Sequence, residues 1–218
     1  MAELDERTRQ LSLRLVYFGP PGSGKAANLQ RIHELLPSEG RSRIRAFSAG
    51  SERTISFEMM LLVAKEGGWS VQLIVAACSS PLLQATKIAT VSSADAVAFV
   101  ADASRSRRDE NHEAARECEE VMRTSRKTAP PVVLQLNKRD RDDAVHEDEI
   151  DREWGERKWP TFTASADRGD GVRETFSCLV RLAFEAADRG HQVEAKTGLT
   201  LSGVTDAALM TFRARGAS

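Results

Sequence analysis

The sequence predicts an α/β fold, a mostly parallel central sheet covered by helices on both faces. Three observations carry this. Apolar strand-like runs recur at residues 11–18, 44–47, 71–77, 96–100 and 132–136, with helical segments between them. A glycine-rich loop follows the first run and opens a helix. A second polar motif, Asn137-Lys138-Arg139-Asp140, stands directly after the last run.

Residues 11–18 alternate apolar and polar positions and then turn wholly apolar at Val16-Tyr17-Phe18, as a strand entering a buried sheet does. The loop Gly19-Pro20-Pro21-Gly22-Ser23-Gly24-Lys25-Ala26 comes next. It fits the phosphate-binding pattern G-x-x-x-x-G-K-[ST] up to its last position, where a methyl replaces the hydroxyl. Glycines let successive N–H groups converge on phosphate oxygens, the lysine supplies a point charge, and the helix N-terminus adds its dipole. The missing hydroxyl oxygen is the one that would hold Mg²⁺ between the β- and γ-phosphates. The sequence therefore keeps the means of holding phosphates and loses a means of holding the metal. A glycine-rich turn without a ligand is the competing reading of this loop.

The helix over residues 26–36 places Leu29, Ile32, His33 and Leu36 on one face. Further helices are predicted at 82–90, 110–124, 147–154 and 172–188. The helix at 110–124 is charged along one side and reads as a solvated face, so its His112 and Cys118 need no functional role. Residues 140–151 are a dense charge run, read as a loop and a helix start. Beyond Gly190 the composition shifts to Gly, Thr, Ala and Ser, which predicts an appendage of lower order with one short helix at 206–213, a tether or a docking peptide, with a disordered tail as the equal alternative. The expected organisation is an N-terminal extension over 1–10, one domain over 11–189, and a C-terminal extension or tail over 190–218.

At 218 residues and a net charge of −1, the chain is long enough for one core and shows no overall attraction to nucleic acid. Its three cysteines, Cys78, Cys118 and Cys178, have no metal or disulfide spacing, which suits a reducing cytoplasm. The acidic start Met1-Ala2-Glu3-Leu4-Asp5-Glu6-Arg7 is no signal peptide, and no apolar stretch reaches the length of a membrane span. A cytoplasmic location is expected.

The base must be read elsewhere than in the phosphate loop. An aspartate at the end of a buried strand, as Asp140 is, accepts two hydrogen bonds from the N1–H and 2-amino group of guanine, which adenine cannot offer. Adenine would leave the carboxylate unpaired. Thr163-Ala164-Ser165-Ala166-Asp167 looks like the S-A-x loop whose backbone N–H meets guanine O6. The phosphate loop, the N-K-x-D element and the S-A-x loop stand in the order a guanine-nucleotide site requires.

The resemblance then narrows. Val16-Tyr17-Phe18-Gly19-Pro20, Asn28-Leu29-Gln30, Glu52-Arg53-Thr54, Phe99-Val100-Ala101-Asp102-Ala103-Ser104 and Gln135-Leu136-Asn137-Lys138-Arg139-Asp140 closely resemble the MglA-like small GTPases, bacterial members of the Ras superfamily. The match covers roughly residues 11–187. It implies a P-loop NTPase with a Ras-like G domain, GTP or GDP and Mg²⁺ as ligands, and protein partners. Those would be a Roadblock/LC7-type (MglB-like) regulator or a motility-complex subunit, in cell polarity, gliding or pilus-driven motility. The nucleotide-binding set so implied is Gly19, Gly22, Ser23, Gly24, Lys25, Ala26, Ala27, Arg53, Thr54, Asn137, Lys138, Asp140, Ser165 and Ala166. In the family an arginine and a threonine of the first switch act on the γ-phosphate and the metal, and Arg53 and Thr54 match those positions. Arg53 as a plain surface arginine beside Glu52 is the competing reading.

The chain departs from the family at two places. One is Ala26. The other is the P-G-Q run after the third strand, which aligns by strand pattern with Ala77-Cys78-Ser79, with a shortening around Glu66-Gly67-Gly68 and Pro81 following. The glycine that senses the γ-phosphate and the glutamine that orients water are then both missing, so no residue is assigned to catalysis or to a metal, and Mg²⁺ binding is expected weak or absent. The leading expectation is a pseudo-GTPase that binds guanine nucleotide and works through protein contacts. The alternatives are a slow GTPase completed in trans, a nucleotide-free interaction module, and, opposed by Asn137, Lys138 and Asp140, a kinase-like ATP enzyme. The expected docking surface is residues 48–60 and 77–90, with Ile55, Phe57, Met59 and Met60 as an apolar cluster that packing in a strand would equally explain.

Overall fold

The computed structural model describes residues 2–36, 41–49, 52–62, 68–79, 84–125 and 129–213. Strands β1 (Glu3–Asp5), β2 (Gln10–Gly19), β3 (Arg45–Ala49), β4 (Glu52–Leu62), β5 (Ser70–Ser79), β6 (Ala96–Asp102), β7 (Val132–Asn137) and β8 (Thr161–Thr163) form one sheet. Its order is β3-β4-β5-β2-β6-β7-β8, with β1 antiparallel on the start of β2. The run β5-β2-β6-β7-β8 is parallel, and β3 and β4 pair antiparallel at one edge. The helices are α1 (Lys25–Leu35), α2 (Gln84–Ser92), α3 (Arg108–Ser125), α4 (Glu147–Trp154), α5 (Val172–His191), α6 (Val193–Thr197) and α7 (Leu201–Arg213).

Alternation along the strands divides the core into two layers, because successive side chains point to opposite faces. Leu11, Leu13, Leu15 and Tyr17 of β2 join Ala96, Ala98 and Val100 of β6 beneath α1 and α5. Val16, Phe18, Val97, Phe99 and Ala101 face the other way, onto α3 and α4. These strands are buried on both faces, which is why they read as near-continuous apolar runs. Full burial of each large side chain contributes roughly 1.5–3 kcal/mol.

The chain leaves β2 toward β3–β5 on one side and returns to β6 on the other. The carboxyl end of β2 is therefore the point where strand order reverses, the place where open α/β sheets bind ligands.

Two elements differ from the sequence expectation. The N-terminal extension takes part in the sheet, since Leu4 pairs with Leu11. Of residues 48–60, expected as part of a docking surface, residues 52–60 have the backbone of strand β4, paired with β3 and β5, which agrees with the strand reading of Ile55, Phe57, Met59 and Met60. The tail is not an appendage of lower order: α6 and α7 pack on α5, and Val193, Leu199, Val204 and Ala208 are buried in the main core. Among the described residues, no helix is long and apolar enough to cross a membrane.

Candidate nucleotide site

β2 delivers the chain to the phosphate loop, and α1 begins at Lys25 immediately after it. Two of the glycines are dictated by space. A Cβ on Gly19 (φ 152°) would lie 2.2 Å from the carbonyl oxygen of Val100, and one on Gly24 (φ 98°) would lie 2.0 Å from Nδ2 of Asn137. The first turn of α1 has no intrahelical acceptors for its N–H groups. Lys25 is buried, and its Nζ donates to the carbonyl oxygens of Gly19 (2.9 Å) and Pro20 (2.6 Å), which curls the loop around the ammonium. Pro20 and Pro21 lack N–H donors, but they precede the stretch 22–27 that forms the loop's donor end. Arg107 braces the loop from the turn just before α3, with Nη2 donating to the carbonyl of Pro21 (2.9 Å) while Nη1 holds Glu110 (2.6 Å).

Asn137 ends β7 and joins the two loops. Its Nδ2 donates to the carbonyl of Ser23 (2.8 Å) and its Oδ1 accepts from the N–H of Ala166 (2.9 Å). A buried relay lies beneath: Gln135 Nε2 donates to Asn28 Oδ1 (2.9 Å) and Thr175 Oγ1 (3.0 Å), and Asn28 Nδ2 reaches the carbonyl of Gly24 (3.0 Å). Lys138 takes a left-handed backbone (φ 67°), and its Nζ pairs with Oδ2 of buried Asp102 at 2.7 Å. Burial alone would raise the Asp102 carboxyl, but Lys138 and Ser104 outweigh it and hold the group below the usual carboxylate range. Asp102 is itself fixed by Asn111 of α3, which bonds both its N–H and its carbonyl.

The carboxyl of Asp140 is held below the ordinary range by its own backbone N–H, then by the Ser165 hydroxyl and Arg168. The structure thus gathers Gly19, Gly22, Ser23, Gly24, Lys25, Ala26 and Ala27 with Asn137, Lys138, Asp140, Ser165 and Ala166. Arg53 and Thr54 stand in β4, where their backbones pair with Ser48 and Phe47, and their side chains lie outside the described residues. So do the side chains of Ile55, Phe57, Met59 and Met60, and residues 63–67 and 80–83 with Pro81.

The second switch needs one correction. β5 runs parallel to β2 through Ser79, which pairs with Gly19, so Ala77-Cys78-Ser79 belong to the strand and not to the segment that follows it. Cys78 is fully buried, and burial pushes its thiol up to about 11, so it is not a poised nucleophile. The residues after the strand, Ser80-Pro81-Leu82-Leu83, contain neither glycine nor glutamine, and Gln84 opens α2. Sequence reasoning missed Arg107, Arg168 and the Asp102–Lys138 pair, all contacts between distant segments. Asn28, Gln135 and Asp102 were signalled only through the family resemblance.

The site fits a nucleotide on its own chemistry, with a loop that only glycine can form, a buried ammonium, a helix N-terminus, and an ionised carboxylate on a loop tied to the phosphate loop. For the metal the fit is poorer, since Ala26 offers no oxygen. A family model of the ADP-ribosylation factor family matches residues 89–183. The mutual gliding-motility protein MglA of Myxococcus xanthus (strain DK1622) is 26% identical over 198 residues, covering 87% of this chain and 100% of that protein. The chain resembles MglA over most of its length and the ADP-ribosylation factor family over its second half. Its described residues form a Ras-like G-domain sheet, with β1 paired on β2 and α6 and α7 packed into the same core.

Proposed function

We propose that this chain is a guanine-nucleotide-binding regulatory protein that holds GDP or GTP through Lys25 and backbone donors with little help from Mg²⁺. It turns GTP over very slowly or not at all and acts through protein contacts. The observation that carries this reading is Asn137, whose amide joins the phosphate loop to the base loop and makes one site of them. The chemistry of the donor set supports the rest: phosphate donors are present, while the hydroxyl at Ala26 is missing and residues 80–83, directly after β5, contain no glycine or glutamine. A complete Ras-like site turns over at only ~10⁻⁴ per second unaided, so these losses start from a small rate.

The likeness to a gliding-motility protein supports a role in motility or polarity, with a Roadblock/LC7-type regulator or a motility-complex subunit as partner. Three free buried cysteines suit a cytoplasmic setting. A second reading is favoured by one observation. Gln84, the first residue of α2, stands shortly after β5 in the chain, so a partner could bring it to bear, with Arg53 and Thr54, on a slow GTPase reaction.

Single-turnover hydrolysis of GTP, measured on the protein alone and with a Roadblock/LC7-type partner added, separates the two readings. The proposal expects turnover below that of an ordinary small GTPase in both cases, unchanged in Gln84→Ala, and ordinary intrinsic turnover of the protein alone overturns it. Turnover that the partner raises and Gln84→Ala abolishes favours the second reading.

A further inference from the structure

Asp140 is not the only charged group at the base end. The Nε of Arg168 lies 3.3 Å from Asp140 Oδ2, and Arg168 belongs to the turn that follows Ser165-Ala166. That turn is tightly set. The N–H of Arg168 donates to the carbonyl of Ser165 (2.9 Å), as does that of Gly169 (2.9 Å), and Ser165 bonds Asp170 in return (3.0 Å). Arg31 of α1 closes it from below, its Nη2 donating to the carbonyl of Arg168 (3.1 Å). Gly169 has φ 91°, and a Cβ there would meet Arg31 Nε at 2.6 Å, so the turn and α1 are fitted to each other. The helix that presents the phosphate donors therefore also fixes the backbone from which Arg168 projects.

We infer that Arg168 is a specificity-positioning residue for the base: from the turn that Arg31 braces, it holds the Asp140 carboxylate in one orientation, ready for the two N–H donors of guanine. This rests on the guanine-nucleotide reading above and deepens it. A carboxylate has about four lone-pair sites, so with Arg168 on Oδ2 and the Ser165 hydroxyl on the same group two remain for N1–H and the 2-amino group. Arg168 is largely exposed, so its pairing with Asp140 is screened by salt and its effect is a tuning of selectivity.

The test compares GDP with inosine diphosphate, which lacks the 2-amino group, by calorimetric titration of the full chain. In the unaltered protein GDP binds about tenfold or more tighter than inosine diphosphate, the range of a hydrogen bond to a charged group. Arg168→Gln narrows that ratio about threefold by weakening GDP more than inosine diphosphate, and Arg168→Lys restores much of it. Raising salt narrows the ratio in the unaltered protein but not in Arg168→Gln. An unchanged ratio in Arg168→Gln overturns the inference, and so does equal tightening of both ligands, which would make Arg168 an obstruction. Asp140→Asn separates this from the underlying reading: if that variant leaves the ratio untouched, the guanine assignment fails and the inference falls with it.

Discussion

At the base end of the site, Asn137, Asp140, Ser165 and Ala166 form a closed unit, each fixed by a hydrogen bond or an ion pair from another segment. At the phosphate end the backbone and Lys25 are equally well set, but Ala26 turns a methyl to the place where the family pattern has a hydroxyl. Both ends are built on the same strands and joined by one asparagine, yet only one lacks a functional atom. Binding a nucleotide needs donors placed in advance, whereas hydrolysis also needs a metal and an oriented water. On the proposed reading, this chain loses the second set without disturbing the first.

The sharpest way to break the phosphate end is Gly24→Ala. Its Cβ would overlap the amide of Asn137, at a backbone conformation that costs a non-glycine residue roughly 1–2 kcal/mol. Because Asn137 also holds the base loop, both ends should fail together. GDP affinity is expected to fall more than about a hundredfold by calorimetry, with a lowered melting temperature. A loss confined to the phosphate end, with base selectivity intact, would show that the two loops are not coupled through Asn137.

Restoring the missing atom is a milder intervention. Ala26→Thr should leave GDP binding without Mg²⁺ nearly unchanged and tighten it about tenfold when Mg²⁺ is added, close to 1.4 kcal/mol. Circular dichroism checks that the fold is unaltered. No gain from Mg²⁺ would place the defect in the switch segments and not in Ala26.

The smallest effect expected is on acid stability. Asp102 and Asp140 both have carboxyl groups held below the ordinary value, so their contribution is complete above about pH 4 and is lost as pH falls through the lowered folded value. Thermal unfolding followed from pH 6 to pH 3 should show a steeper decline in the native chain than in Lys138→Met, which removes the partner of Asp102. Parallel curves would mean that this pair contributes nothing to the pH dependence.

Much of this was legible in the sequence. Strands β6 and β7 and the second half of β2 are buried on both faces, while β5 alternates, and their apolar runs announce themselves. The phosphate loop and the N-K-x-D element follow strands at fixed offsets, so short-range pattern placed them correctly. β1 was hidden because Glu3-Leu4-Asp5 is short and polar, and it is made a strand only by pairing with β2. The C-terminal helices were underestimated because their buried residues, Val193, Leu199, Val204 and Ala208, are few and small among Gly, Thr and Ser. Arg168 and Arg107 could not be found at all by spacing. An arginine in a charged loop looks the same whether it faces water or, as here, an aspartate 28 residues earlier or a carbonyl 86 residues earlier.

The most direct test is calorimetric titration of metal-stripped protein with GDP and GTP, with and without Mg²⁺, using ATP as the control. The account predicts micromolar binding of guanine nucleotides that changes little with Mg²⁺, and much weaker binding of ATP. Affinity that depends strongly on Mg²⁺ would contradict it by requiring another residue to supply the metal site, and no binding at all would leave the fold as an interaction module alone.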